Sequence, residues 1–458
     1  MTASPPPRRL LGVLFLGTLL AALDIAVVAP ALPALREAFG LDGRGVSWVF
    51  TLFVLANLAG LPVMAALSDR LGRRAVYLAD VALFAAGTLV VVLAPSFGVL
   101  LVGRVIQGLG ASGIFPVATA VVGDTFAPEA RGRALGLLGA VFGVAFLIGP
   151  ALGGIVLSVA TWRHLFALSL PLAAVVFALS ARTVPTTRAA RPRPLDMGGL
   201  AVLTVLLGAM VAGLGRIDAA NLGASLTRWT VWGPLALAAG LLPVFWWIER
   251  RAEAPLIRPA LVARRPVRVA CGLAVGAGLV EATFVFLSAY AVEAFGVDPS
   301  KGSYLLLPLV GGVVVGSPLA GRLLDRVGPR PVVTAAAALM AAGLGVVGVA
   351  PSLGVHIAGT VALGLGLAGV LGSSLAYILL EESAVEERTV AQGLSTLFIS
   401  VGQLVGAAGL GALAASASAP EAGYRTGFLA VAAVAAGLGV AAQALPRRQR
   451  PLAAAAET

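Results

Sequence analysis

Charge is scarce in this chain. Only 12% of its 458 residues are Asp, Glu, Lys or Arg, about half the share a soluble domain spends on its surface. That shortage excludes the row of soluble globules the length alone would suggest. Cysteine is nearly absent: Cys271 stands alone, so no disulfide framework can form within the chain. Histidine is limited to His164 and His356, which lie far apart and lack the company a metal site needs. Apolar residues fill the space. They make up 59% of the chain and the mean hydropathy is +0.98, which excludes disorder. A net charge of +11 would suit a nucleic-acid ligand, but the basic residues sit between long apolar runs rather than on one face. The chain reads as an all-α polytopic membrane protein without a nucleic-acid partner.

A helix needs about 20 mostly apolar residues to cross a bilayer. Such stretches fall near 10–33, 46–67, 75–94, 98–123, 134–158, 164–184, 196–215, 229–248, 266–291, 303–324, 331–350, 353–379, 390–415 and 424–445. That predicts fourteen spans. The first is too long for a cleaved signal peptide and no clean small-residue cleavage site follows it. With a cytoplasmic N-terminus, 24 of the 32 Lys and Arg residues fall in cytoplasmic loops and seven on the other side. Arg104 alone lies deep inside a span, away from its ends. Basic loops stay in the cytoplasm, so both termini are expected there, as an even number of spans requires. Arginine vastly outnumbers the single Lys301, and with the many Ala and Gly this bias suggests a GC-rich bacterial genome.

The chain also repeats itself at a shift of 256. AFGLD at 38–42 returns as AFGVD at 294–298, LSDRLGRR at 67–74 as LLDRVGPR at 323–330, and APSFG at 94–98 as APSLG at 350–354. Gly103, Gly108, Gly110 and Gly113 return as Gly359, Gly364, Gly366 and Gly369. After one inserted residue the shift becomes 257, and Arg131, Gly136 and Gly149 meet Arg388, Gly393 and Gly406. The repeat predicts a six-span bundle used twice. Both copies of the LxDRxGxR loop fall on the cytoplasmic side, so the copies run in the same sense, an arrangement found among secondary transporters. The expected organisation is a bundle over 1–184, a linker with two inserted spans over 185–265, a second bundle over 266–445, and a cytoplasmic tail over 446–458.

Polar groups inside the spans are the candidates for chemistry. Asp24 and Glu281 each lie near mid-bilayer, where an ionised side chain costs about 2.5–3.5 kcal/mol. The repeat aligns Asp24 with Val280, one position from Glu281, so each half supplies one acid from its first helix. Removal from water favours the neutral form of a carboxyl group, which suits a site that takes up and releases protons. A purely structural, hydrogen-bonded acid is the competing reading. Arg104 carries the same insertion cost, and its counterpart Thr360 is uncharged, which points to a one-sided role. Gly108 to Gly113 spell GxGxxG, as do 364–369, but no strand precedes either copy. A dinucleotide site needs that strand, so the glycines are read as helix-packing residues. Asp80, placed about a turn inside its span, is expected to snorkel or support the loop before it. Trp229, Trp232, Trp246 and Trp247 are expected as interfacial anchors, and Glu381, Glu382, Glu386 and Glu387 as a solvated cluster.

These motifs, in this order, resemble the major facilitator superfamily, and within it the fourteen-span drug:proton antiporter branch. AALSDRLGRR at 65–74 is similar to the family's loop signature, with Ala65 where Gly is usual; the second copy keeps Gly321. Arg104, Gln107 and Gly108 fit the fourth-span arginine motif, and GVAFLIGPALGG at 143–154 fits the fifth-span motif of antiporters. LDIAVVAPALP at 23–33 and TWRHLF at 161–166 resemble the branch itself. The resemblance implies two six-helix bundles plus an inserted two-helix hairpin, with the first helices lining a central cavity. It implies a proton and substrate site at Asp24, Arg104, Gln107 and Glu281. It further implies a gating latch of Asp69, Arg70, Arg73, Arg74, Asp124, Asp325, Arg326 and Arg330. Gly149, Pro150, Gly153 and Gly154 would seal against proton leak, and Pro150 becomes Ala407 in the second copy.

The expected function is export of lipophilic, in part cationic, drugs or antibiotics across the bacterial cytoplasmic membrane in exchange for protons. The alternative is a dedicated exporter of one natural product or a tetracycline-like compound. No cofactor is expected beyond the proton gradient, and no metal. The lipid bilayer, protons and a lipophilic small molecule are the expected partners of a monomer. No catalytic set or phosphate loop occurs in a plausible site, which argues against an enzyme.

Overall fold

The computed structural model describes residues 7–126, 128–188, 196–218, 220–253, 255–257, 259–372, 374–381 and 388–445. The regular structure among them is helical, as hydrocarbon demands of a chain whose backbone groups must be paired within each segment. In order come α1 (Pro7–Phe39), α2 (Gly43–Leu71), α3 (Arg73–Leu93), α4 (Phe97–Thr125), α5 (Pro128–Val159), α6 (Trp162–Ala167) and α7 (Ser169–Thr183). Then follow α8 (Met197–Leu214), α9 (Leu222–Thr227), α10 (Trp229–Glu249), α11 (Pro259–Val262), α12 (Arg265–Phe295) and α13 (Pro299–Gly302). The last are α14 (Leu307–Val327), α15 (Pro329–Val349), α16 (Leu353–Leu367), α17 (Ser374–Glu381), α18 (Arg388–Ser416) and α19 (Pro420–Ala441).

Among the described residues, thirteen helical stretches are long and apolar enough to cross a membrane. The 32-residue α5 adds the fourteenth long helix, although its described apolar stretch, Val144–Val159, is shorter. Several helices outrun the apolar windows that announced them. Helix α1 runs through both Pro30 and Pro33, which membrane helices tolerate because neighbours re-pair the freed backbone. The sixth span is divided at Leu168 into α6 and α7.

The repeat is written into the turns. The residues with positive φ are Gly40 (62°), Gly72 (104°), Gly296 (62°) and Gly328 (84°), two pairs separated by 256 positions. Gly72 joins α2 to α3 and Gly328 joins α14 to α15 in the left-handed region, where a side chain would be strained. The single inserted residue falls between Gly369 and Arg388. In that interval a π-helical turn, Ala368–Gly372, joins α16 to α17, the form in which a helix takes up one extra residue.

Contacts divide the chain into two compact units. One consists of Met1–Leu256, Thr283–Leu307 and Ala407–Tyr424; the other of Ile257–Ala282, Pro308–Gly406 and Arg425–Thr458. In the first unit α1 packs along α5, with Ala22, Val141 and Ala145 buried together, and α3 packs along α4 through glycines. A Cβ on Gly103 would lie 2.8 Å from Val91 N, and one on Gly110 2.8 Å from Asp80 O. The inserted helices α8 and α10 pack on each other, and α8 meets α2 where Leu55, Leu58 and Ala59 face Leu200, Leu203 and Leu207. Only 11% of the apolar window of α10 is buried, and Trp229, Trp232 and Trp247 are exposed. The loop after α8 is tied down by one carbonyl: Ile217 O accepts from Arg44 Nη2 at 3.1 Å and from Ser416 Oγ at 3.3 Å.

The second unit repeats the glycine packing of α3 on α4. A Cβ on Gly359 would lie 3.0 Å from Gly343 O, and one on Gly366 2.6 Å from both Ala336 O and Met340 N. Both GxGxxG runs therefore serve helix contact, as the absence of a preceding strand implied. The linker over 189–195, Glu382, Glu386, Glu387 and the tail over 446–458 lie outside the described residues.

Candidate functional site

Helices α1, α3 and α4 bring four polar side chains together in the first unit. Asp24, Arg104, Gln107 and Thr88 are all fully buried. Arg104 Nη1 donates to Asp24 Oδ2 at 2.6 Å and to Gln107 Oε1 at 2.9 Å, and its Nε donates to Val49 O at 3.0 Å. Gln107 Nε2 donates to Asp24 Oδ1 at 3.1 Å and to Thr88 Oγ1 at 2.9 Å. Phe53 lies under the guanidinium, 4.3 Å from Cζ to ring centroid, with Phe166 at 5.7 Å. The spacing from Arg104 to Gln107 places both on one face of α4, one turn apart. Arg104 Nη2 has no hydrogen-bond partner. Such a site is held together by its charges: removing one member of a buried pair costs about 3–5 kcal/mol, while the intact pair roughly balances its desolvation.

At the junction of α2 and α3 a second cluster forms. Arg73 Nη1 meets Asp69 Oδ1 at 2.6 Å and Ser68 Oγ at 2.9 Å, and its Nε meets Asp124 Oδ2 at 3.0 Å. One guanidinium thus ties the end of α2 to the end of α4. Arg74 Nε donates to Val184 O at 2.6 Å, and the Arg73 amide donates to Thr187 O at 2.9 Å. The chain leaving α7 is drawn across the loop in this way. Arg70 is exposed at the helix end. In the second unit Arg330 meets a neutral partner instead: its Nε and Nη2 donate to Gln443 Oε1 at 3.0 and 2.7 Å. The Asp325 side chain lies outside the described residues, and Arg326 is exposed.

The fifth-span glycines lie against the helix that carries Asp24. A Cβ on Gly149 would stand 2.5 Å from Ala26 Cβ, and one on Gly153 2.8 Å from Pro30 Cγ. Gly154 lies under the ring of Tyr304, and Pro150 is buried between them. The repeat preserves the first contact: a Cβ on Gly406 would lie 2.7 Å from Ala282 Cβ, beside Glu281. Glu281 itself is half-buried in the second unit and accepts from Gln403 Nε2 at 2.9 Å.

The sequence points to the charged members of these clusters and to Gln107, but not to their other neutral partners. Thr88, Thr187 and Gln403 carry no motif, and Ser68 lies within the loop signature without being singled out by it. Their role follows only from which helix faces them. One half of an expectation fails, the snorkelling of Asp80. Asp80 lies seven residues into α3, and it is fully buried, so it does not snorkel. The cause is the face it occupies: seven residues into α3, its carboxyl is turned onto Gly113 of α4 and away from the helix end.

Comparison with known proteins decides the family. The Major Facilitator Superfamily profile matches residues 14–316 and 269–458. The chain belongs to the Major Facilitator Superfamily. It is 30% identical over 393 residues to YfiU of Bacillus subtilis, a transporter of this type, covering 84% of this chain and 76% of that one. It is 29% identical to the multidrug resistance protein Stp of Mycobacterium tuberculosis, covering 88% and 74%. To the tetracenomycin C resistance and export protein of Streptomyces glaucescens it is 29% identical, covering 87% and 74%. Among solved structures, a D-xylose-proton symporter superposes with a TM-score of 0.68 at 14% identity, over 96% of this chain and 98% of that one. A POT family transporter in complex with 5-aminolevulinic acid gives 0.70 at 14% identity, over 94% of each chain. This superfamily member is a multi-pass membrane transporter of small molecules, not an enzyme.

Proposed function

We propose that this transporter exports lipophilic drugs or antibiotics, cationic ones included, across the cytoplasmic membrane in exchange for protons. The observation that carries the reading is the buried Asp24–Arg104–Gln107 network. Ionised, Asp24 is held by one cation and one amide. Protonated, it no longer balances Arg104, and a buried cation without a counter-ion is expensive. Proton uptake therefore favours a conformation in which Arg104 finds another environment. A proton on Asp24 and the present packing of α1 on α4 exclude one another, which is what coupling requires. The packing of Gly149 and Gly153 on Ala26 and Pro30 of α1 supports a role in closing the path around that acid. Glu281, half-buried and held by one neutral donor, is suited to meet a cationic substrate.

The names of the relatives support drug export as the transport class. A dedicated natural-product exporter is the second reading, favoured by the likeness to the tetracenomycin C exporter. Sidedness follows from the loop arginines, with both termini in the cytoplasm. The test uses purified protein in proteoliposomes with ethidium as probe. Accumulation should follow an imposed pH gradient and collapse when a protonophore is added. Uphill accumulation that ignores the pH gradient would refute proton exchange.

A further inference from the structure

Asp80 is a buried acid in the first unit that the coupling scheme leaves unused. It sits on α3 with no exposed surface, and neither carboxyl oxygen has a hydrogen-bond partner. Its carboxyl rests on Gly113 of α4, so closely that a Cβ at Gly113 would collide with it. One turn away, Gly110 lies against the Asp80 carbonyl. The repeat supplies a control within the same chain. Ala336 occupies the place of Asp80 and Gly369 that of Gly113, with a Cβ on Gly369 falling 2.6 Å from Ala336 Cβ. The backbone contacts of Gly110 recur at Gly366. Packing at this place therefore asks for a methyl group and is satisfied by one. The acid is an addition that packing does not require.

The charged groups on surrounding helices are engaged elsewhere or lie at helix ends. On α4, Arg104 is paired with Asp24 and Asp124 with Arg73. On α2, Asp69 is paired with Arg73 and Arg70 is exposed. Arg182 stands at the end of α7, and Arg163 of α6 donates to Ala94 O. His164 of α6 faces Thr161. On α1 the nearby element is Gly17, which touches the Tyr77 hydroxyl, and Tyr77 is the titratable side chain one turn from Asp80 on α3. None of these is bonded to Asp80. An ionised carboxylate so placed would have given up water for nothing.

We propose that Asp80 is a second proton-binding site, loaded while α3 is packed on α4 and emptied when that seam opens to water. Its position suits the role. Three polar side chains follow one another along α3 at the seam: Arg73 bonded to Asp124, Asp80 packed on Gly113, and Thr88 bonded to Gln107. Asp80 lies seven residues from Arg73 and eight from Thr88, roughly 10–12 Å along the helix in either direction. Parting the seam would expose Asp80 together with the latch at one end and the coupling network at the other.

The proposal predicts a protonated carboxyl that infrared spectroscopy can see without any transport assay. Purified protein in lipid is titrated from acid to alkaline pH and the carbonyl-stretch region of neutral carboxyls is followed. A buried, slowly exchanging band should be present in the wild type and absent from both D80A and D80N. It should persist in D24N. D80A should insert and fold normally, because the second copy already holds Ala there, and D80N preserves shape if it does not. A band unchanged in D80A, or no neutral carboxyl beyond those removed by other acid variants, would overturn the proposal. The readout does not depend on what the protein exports or whether it couples to protons, so it fails or stands separately from the reading above.

Discussion

The two copies of the repeat share a scaffold and differ in their load. Gly149 on Ala26 matches Gly406 on Ala282, and Gly110 against Asp80 O matches Gly366 against Ala336 O. Gly72 and Gly328 turn the same corner with positive φ. The polar side chains do not follow. Asp24, Thr88, Arg104 and Gln107 of the first copy align with Val280, Leu344, Thr360 and Leu363 of the second. Asp80 aligns with Ala336. Backbone approach needs glycine wherever two helices touch, so the scaffold is fixed by geometry in both copies. Buried charge needs a partner on a second and third helix at once, so it survives only where all members are present. The second copy retains the shape without the network, and it places its mid-span acid, Glu281, a residue away with an amide for company.

The largest effect should come from breaking that asymmetry at its centre. Asp24→Asn keeps the shape and the Gln107 contact but removes the charge that balances Arg104. Gradient-driven efflux of ethidium should be abolished in proteoliposomes, a loss of a hundredfold or more on the scale of about 3 kcal/mol for an unpaired buried charge. Asp24→Glu should retain part of it. If Asp24→Asn still concentrates ethidium at the normal rate, Asp24 is structural.

The latch comes next. Asp69→Asn and Asp124→Asn each take one charged acceptor from Arg73, worth about 1.5–3 kcal/mol when the acceptor is ionised. Transport should slow by about tenfold if that energy is withdrawn from one conformational state alone. Protein yield and insertion should be unchanged. Equal rates in both variants and in the wild type would remove the latch from the mechanism.

Most of the fold was legible because its signals are local. Apolar runs mark spans, glycine offsets mark helix contacts, and the basic loops repeat at a fixed shift. Asp24 and Arg104 were legible because a charge inside a span is rare enough to stand out, and Gln107 because it completes the fourth-span motif that the chain resembles. Thr88 and Gln403 were not, since a neutral side chain in a helix has no signature until the facing helix is known. Asp80 was misread because which helix its face meets, Gly113 of α4, is not written in the local pattern.

Close packing gives a smaller and more symmetrical effect. Gly149→Ala and Gly406→Ala each place a methyl within 2.7 Å of an alanine Cβ on the neighbouring helix. Overpacking of this kind costs about 1–3 kcal/mol. Both variants should show reduced thermal stability in detergent, by similar amounts, if the repeat holds in energy as well as in shape. A loss at Gly149 alone would show that α5 packing on α1 is the more constrained. Glu281→Gln should leave stability intact and weaken monocationic substrates by about fivefold to tenfold, the ~1 kcal/mol of a half-screened charge. Neutral substrates should be spared in a competition assay.

The smallest effect should lie at the second copy of the latch. Arg73 answers two carboxylates, whereas Arg330 offers two nitrogens to one amide oxygen of Gln443, and Gln443 Nε2 in turn donates to Thr334 Oγ1 at 2.9 Å. Gln443 is exposed, so water stands ready to replace either bond. Gln443→Ala should therefore cost less than about 1 kcal/mol and change transport little. Arg330→Lys should do the same, because a neutral acceptor on an exposed helix end does not demand a planar fork. The paired change Arg73→Lys should be plainly worse, since one ammonium cannot reach Asp69, Ser68 and Asp124 with the same geometry. Measured side by side as ethidium efflux and melting temperature, the two lysine variants isolate what the acids add. Equal losses at both positions would mean that the copies share their latch as well as their scaffold.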